Sequence, residues 1–325
     1  FHIVPHRARG YVRPQARGRG EFPRGLRGVL EPGELYNAPM HDTSYKIPGG
    51  GLLSTSGDLV RFAMALNDGR LLPPNLMEEM WTEQKTTSGA ATGYGLGFRL
   101  YSLDGAKVVG HSGGQAGVST LYMLSPSTNT TVAVMCNLQH AELQSVCQQA
   151  LRAAGTVTIA TTTQRQATDY AQVTHRLAEF IERERKQKDL PAVSITLVDG
   201  DEIVWGAGFG PQDSAGKEEA SARSVYRVGS VSKLFTDMAL MKLVAEGKVD
   251  LDADVRTYLP EFQPKNPTDK PITLRQLTSH RAGIVREPPV GHYFDPTEPT
   301  IAETVASLNE TSLVYAPGTQ TKYSN

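Results

Sequence analysis

Cysteine is nearly absent, with Cys136 and Cys147 the only two in 325 residues. That excludes a small disulfide scaffold. Cys136 closes the apolar run Thr131 to Cys136 and Cys147 falls in a helical pattern, so both read as small buried hydrophobes. Metal-ligand spacing is missing too. His2 and His6 stand four apart, but no helical pattern carries them and no third ligand is near, so no metal or other cofactor is expected. Charge of one sign is lacking, since 33 Lys and Arg face 34 Asp and Glu for a net charge of -1. There is no electrostatic case for nucleic acid or an anionic membrane. No apolar run approaches the ~20 residues that span a bilayer. The chain starts at Phe1 rather than Met, so the lack of a leader excludes no compartment. What is present, 39% hydrophobic and 21% charged residues, fits a globular chain with one large core or two.

Residues 1–48 read as loop. Arg7, Arg9, Arg13, Arg17, Arg19, Arg24 and Arg27 face only Glu21 there. A solvated surface is the plain reading, and a basic lip that draws in carboxylate-bearing substrates is the functional one. No aromatics interleave the arginines, which disfavours nucleic acid. Leu59, Phe62, Ala63 and Leu66 make one apolar face of a helix from about Asp58 to Leu66, with Ser56 as its N-cap. A second helix is expected near Pro74 to Trp81. Strands are expected over Gly95 to Tyr101, Lys107 to Gly110, Ser119 to Leu124 and Thr130 to Cys136, with a hairpin at Asp104-Gly105. Ala141 to Ala153 reads as helix. The polar, Thr-rich segment 154–168 is the linker candidate. Asp169 to Lys188 is amphipathic, with Tyr170, Val173, Leu177, Phe180 and Ile181 on one face. Ala192 to Val198 and Ile203 to Gly208 are strands joined at Asp199-Gly200-Asp201. A helix is expected from Ser230 to about Glu246, ended by Gly247. Residues 250–325 are Pro-rich, with short helices at best.

Nucleophilic catalysis needs a serine with an exposed Oγ and a base beside it. Ser230 opens a helix, where backbone N–H groups and the helix dipole favour negative charge. Lys233 follows one turn later on the same face. Crowding there eases loss of its proton, so that it can act as base. A second copy of the pattern, Ser214-Ala215-Gly216-Lys217, has no helix behind it and reads as a loop.

Ser230-Val231-Ser232-Lys233, Tyr323-Ser324-Asn325 and His111-Ser112-Gly113-Gly114 resemble the SxxK, YxN and HxG/KTG motifs of the penicillin-recognising serine hydrolases. That group takes in class C β-lactamases, D-alanyl-D-alanine carboxypeptidases, family VIII esterases and the mitochondrial β-lactamase-like proteins. The resemblance is dense around Leu243 to Asp252, Tyr258-Leu259-Pro260, Ile272 to His280 and Tyr315 to Thr319, and covers about 1–153 and 169–325. It implies an α/β (α+β) β-lactamase/transpeptidase-like fold: an antiparallel sheet flanked by helices, plus a smaller, mostly helical domain. It also implies a serine hydrolase working through an acyl-enzyme on esters, D-amino-acid peptides or β-lactams. Ser230 would be the nucleophile, Lys233 and Tyr323 the proton carriers, and Asn325 and His111 substrate contacts. The N–H groups of Ser230 and Gly114 would form the oxyanion hole. His111, in place of the lysine of KTG, tilts the reading toward a peptidase or esterase. His280 matches a histidine frequent in the family and reads as structural.

In the family the third motif comes last, whereas here it comes first. The chain therefore resembles the C-terminal half of one such domain (1–153), a linker (154–168) and the N-terminal half of another (169–325). Either a fragment of a tandem-domain protein or a permutation accounts for this, and the start at Phe1 and stop at Asn325 favour the fragment. Tyr323 and Asn325, being terminal, are expected to fray and leave the chain weakly active. The rival reading is a non-catalytic or filament-forming protein on the same fold, and self-association is compatible with either. Family resemblance points to an extracytoplasmic location.

Overall fold

The structure, a computed structural model, describes residues 8–13, 33–38, 42–161, 170–268, 270–292 and 295–325. Two compact units emerge. One holds Phe1–Met40, Leu52–Asp68 and Ser102–Val231, and the other His41–Gly51, Gly69–Tyr101 and Ser232–Asn325. Each unit draws on both sides of the segment expected as a linker. Among the described residues no helix is long and apolar enough to cross a membrane.

In chain order the first elements are the short pair β1 (Tyr11–Val12) and β2 (Tyr36–Asn37), then β3 (Leu53–Ser54), α1 (Ser56–Asn67) and α2 (Pro74–Met80). Next come β4 (Arg99–Leu103), β5 (Ala106–Gln115), β6 (Val118–Ser125), β7 (Thr130–Cys136) and α3 (Gln144–Thr161). After these lie α4 (Tyr170–Gln187), β8 (Val193–Asp199), β9 (Glu202–Phe209), β10 (Tyr226–Arg227), α5 (Ser232–Ala245), α6 (Leu274–Thr278) and α7 (Ile301–Leu308).

The first unit is organised by five strands in the order β5-β6-β7-β8-β9, joined by antiparallel pairings. Every residue of β6 and β7 is buried, as expected where both sheet faces are covered. Register carries the line His111, Tyr122, Ala133, Thr196 across four strands. Side chains at paired positions share a face. Ser56 of α1 reaches Thr196 at 2.8 Å, so α1 packs on that face. Cys147 of α3 approaches the backbone of Leu121, whose side chain belongs to the opposite face, and α4 packs on α3 and β9. This is an antiparallel sheet flanked by helices, as expected.

The second unit is mostly helical and irregular. Its core is Val255, Phe262, Ile272, Ala282 and Leu313, with Leu259, Leu277, Ile284, Val305 and Leu308 packed around it. Capping boxes at Thr273/Gln276 and Thr300/Glu303 start its short helices α6 and α7.

Four expectations need correction. The N-cap of α1 is Thr55, which accepts from Asp58 N at 3.0 Å, because Ser56 is drawn inward to Thr196. Strand β5 runs past Gly110 to Gln115, since pairing with the fully buried β6 holds a glycine-rich stretch extended that local propensity would not. Strand β4 begins only at Arg99, because Gly95 to Phe98 closes a turn by a 2.8 Å hydrogen bond from Gly95 N to Phe98 O. Helix α3 runs on to Thr161, into the segment expected as linker. Ser214 to Lys217 is a turn, as read from the sequence.

Candidate active site

Two clusters hold the expected residues, one in each unit. The first lies where β5 meets the turn that follows β10. Glycine at 113 is a steric requirement, because a Cβ there would sit 1.9 Å from Val228 O and 3.2 Å from Ser230 N. Gly229 has φ +52°, and its own Cβ would sit 2.6 Å from Gly114 N. The strand and the Val228–Ser230 turn are thus in backbone contact, with the N–H groups of Ser230 and Gly114 on its two walls. Val228 N bonds Leu52 O at 3.0 Å, and Val231 N bonds Val228 O at 3.2 Å, closing a 3-10 turn over Gly229–Val231. The chain passes directly from this turn into α5.

His111 is only 1% exposed. Its Nδ1 lies 2.5 Å from Ser112 O. A carbonyl can only accept, so Nδ1 carries the proton and donates. In the neutral ring Nε2 is left as an acceptor.

The second cluster surrounds Lys233, near the start of α5. Its Nζ donates to Gly49 O at 2.8 Å and to Asn325 Oδ1 at 3.3 Å, and lies 5.0 Å from the centroid of the Tyr323 ring. Burial lowers its pKa to about 8. Lys46 and Arg286 act in the same direction, and Asp237 and Glu287 oppose. Asp237, one turn further along α5, is raised to about 7 by burial, with Lys233 opposing.

Tyr323 is ringed by cations and packed against a histidine at a tilt. The guanidinium carbons of Arg99 and Arg286 lie 5.8 Å and 6.0 Å from its centroid. The His280 ring is 4.1 Å away. Asn325, expected to fray, makes two hydrogen bonds in the structure: its N donates to Arg286 O at 2.8 Å and its Nδ2 donates to Glu287 Oε1.

His280, read from the sequence as structural, therefore belongs to this cluster. Its Nε2 meets Tyr94 OH at 3.3 Å and its carbonyl accepts from Lys322 N at 3.0 Å. Burial, aided by Lys233 and Arg99, pushes its pKa down to about 3, so the ring is neutral. No local pattern marks this role, because it depends on contacts with residues far along the chain. Lys46, Glu287 and Asp237 were also missed. Only Asp237 left a readable trace, as a lone acid on α5 among Leu234, Phe235, Met238 and Met241.

A cavity of about 280 Å³ in the first unit, lined among others by Arg9, Gly117, Asp213, Tyr226 and Arg227, holds none of the expected site residues. Arg9 and Arg13 are tied to Asn37 and to the carbonyls of Lys188 and Asp189. Arg7, Arg17, Arg19, Arg24 and Arg27 of the expected basic lip, and His2 and His6, lie outside the described residues. Both cysteines are buried and unbridged. Among the described residues no group of three or more His, Cys, Asp or Glu could hold a metal ion.

Comparison with known proteins decides the family. The Beta-lactamase family model matches residues 3–155 and 177–325. The chain belongs to the beta-lactamase family. Relatives of this family member include Protein flp of Staphylococcus aureus (strain N315), 27% identical over 151 residues, which make up 46% of this chain and 30% of the relative. Beta-lactamase-like protein 4 of Dictyostelium discoideum is 30% identical over 154 residues, 45% of this chain and 27% of that protein. The chain thus matches less than a third of the length of these curated relatives.

Proposed function

We propose that this member of the beta-lactamase family is a serine hydrolase acting through an acyl-enzyme on esters, D-amino-acid peptides or β-lactams. The observation that carries the reading is the backbone contact of Gly113 and Gly114 with the Val228–Ser230 turn. It supports an oxyanion hole built from the N–H groups of Ser230 and Gly114. Ser230 Oγ attacks the carbonyl carbon and yields its proton to Lys233, whose burial favours the free amine. The carbonyl oxygen takes the negative charge. As that charge returns, the bond to the leaving group breaks, Tyr323 passes the leaving group a proton, and Lys233 hands Tyr323 the proton taken from Ser230. Water then gives a proton to the Lys233 amine as its oxygen attacks the ester on Ser230, and that proton passes to Ser230 Oγ as the acyl C–O bond breaks and the acid leaves. His111 and Asn325 are the substrate contacts in this scheme. With His111 buried and its Nδ1 spent on Ser112 O, that residue would contribute through Nε2. The absence of a lysine at position 111 favours a peptidase or esterase over a true β-lactamase. On this reading residues 1–153 and 169–325 are complementary halves of one β-lactamase-like fold. An extracytoplasmic location accords with it.

The test is intact mass after incubation with a fluorophosphonate and, separately, a penicillin, on the chain and on Ser230→Ala. One adduct, absent from the variant, is expected. A folded chain that takes neither reagent sinks the hydrolase reading, and polymers seen by light scattering in that case would favour the structural role.

A further inference from the structure

Asn325 lies between two groups of opposite hydrogen-bonding character. Its Nδ2 donates to Glu287 Oε1, and its Oδ1 accepts from Lys233 Nζ at 3.3 Å. A carboxylate only accepts and an ammonium only donates, so the amide has one satisfied orientation. The second oxygen of Glu287 pairs with Lys46 Nζ at 3.5 Å, and the Lys46 side chain is 9% exposed. Glu287 thus serves two donors with two separate oxygens.

We propose that Glu287 is a positioning residue of the site: held by Lys46, it sets the amide of Asn325 so that Oδ1 faces Lys233. The inference rests on the proposed function only in its claim on catalysis. The hydrogen-bond logic stands on the second unit alone.

That logic makes Glu287→Gln more than a loss of charge. Glutamine has one carbonyl for two donors. The buried Lys46 ammonium makes the stronger, charge-assisted claim on it. The glutamine then turns its NH2 toward Asn325, whose amide must flip to accept. Nδ2 now faces the Lys233 ammonium, and Lys233 loses an acceptor. Removing Lys46 frees the glutamine carbonyl for Asn325 and restores the original orientation. The groups facing Lys233 are Asp237 from its own helix, Lys46 from the segment before Gly49, His280 and, from the loop after it, Arg286 and Glu287, and Tyr323. Only Glu287 and Lys46 change across the series.

The experiment compares four forms of the chain: wild type, E287Q, K46M/E287Q and K46M/E287M. Each is checked for a cooperative melt. Lys233 is titrated by NMR on selectively 13C-labelled lysine, assigned with Lys233→Arg, and hydrolysis of an activated ester is followed against pH. Expected are a lowered Lys233 titration in E287Q, from the lost acceptor and the unneutralised Lys46, and kcat/KM down about ten- to a hundredfold, the range for a lost charged hydrogen bond. K46M/E287Q should recover both readouts to within about threefold of wild type. K46M/E287M, equally neutral but with no acceptor for Asn325, should stay impaired. Equal behaviour of the two double variants would overturn the proposal, as would an E287Q titration identical to wild type. If wild type itself shows no hydrolysis, the functional reading fails while the NMR series still decides the role of Glu287.

Discussion

Gly113→Ala tests whether the strand–turn contact sets the reactivity of Ser230. The added Cβ would meet Val228 O at 1.9 Å and Val228 C at 2.9 Å. Ordinary carbon contacts lie near 3.5 Å, so strand and turn must part by more than about 1 Å. The strand resists, because Gly113 is paired with Thr120 on a fully buried neighbour. The turn gives more easily, being held by Val228 N on Leu52 O and by Val231 N on Val228 O. Overpacking of this kind costs about 1–3 kcal/mol, a fall of several degrees in Tm. The chain should stay folded. The moved turn carries Ser230 N away from Gly114 N, and loss of one oxyanion donor lowers kcat by about 10²–10³-fold. The assay is the rate of fluorophosphonate labelling by intact mass, alongside thermal unfolding. Labelling at the wild-type rate in a protein with a normal melt would refute the reasoning. So would a melt too low to leave folded protein, since that would place the contact in the core and not at the site.

Two further outcomes follow from buried titrating groups. A Lys233 near 8 predicts that kcat/KM rises with pH through about 8. At pH 7 such a lysine is roughly 10% free amine, against about 0.03% for an ordinary one, and a rise delayed beyond pH 10 would exclude Lys233 as the buried base. His280, held near 3 against 6.5 unfolded, binds its proton in the unfolded chain first, so its neutral folded form loses stability as pH falls from about 6.5 toward 3. The loss is on the order of 4–5 kcal/mol when complete. Asn tolerates the φ of +57° at this position. His280→Asn should therefore flatten the acid dependence of Tm in that window relative to wild type, and parallel curves for the two proteins would exclude the buried neutral histidine.

Much of the fold was legible because its signals are local. Apolar residues at helical spacing announced α1, and its observed span contains the expected one. The amphipathic face of α4 did the same. Ser230 and Lys233 stood out by their spacing at a helix start, which a chain shows without tertiary structure. Two of the misplaced details have a long-range cause. Ser56 is a good cap by chemistry, yet a hydroxyl far along the chain, on Thr196, draws it away and leaves Thr55 the cap. The strand through His111 to Gly114 exists because β6 pairs with it.

The sequence by itself determined most of the strands and helices and the three motifs, since each is written in period or spacing within a few residues, and the motifs carried the resemblance to the family. Only the tertiary structure decided what surrounds those motifs: His280 against Tyr323, Glu287 and Lys46 behind Asn325, and the glycine contact beneath Ser230. These depend on burial and on hydrogen bonds between residues tens to hundreds of positions apart. Both quantities are created by folding, so no local stretch of sequence carries them.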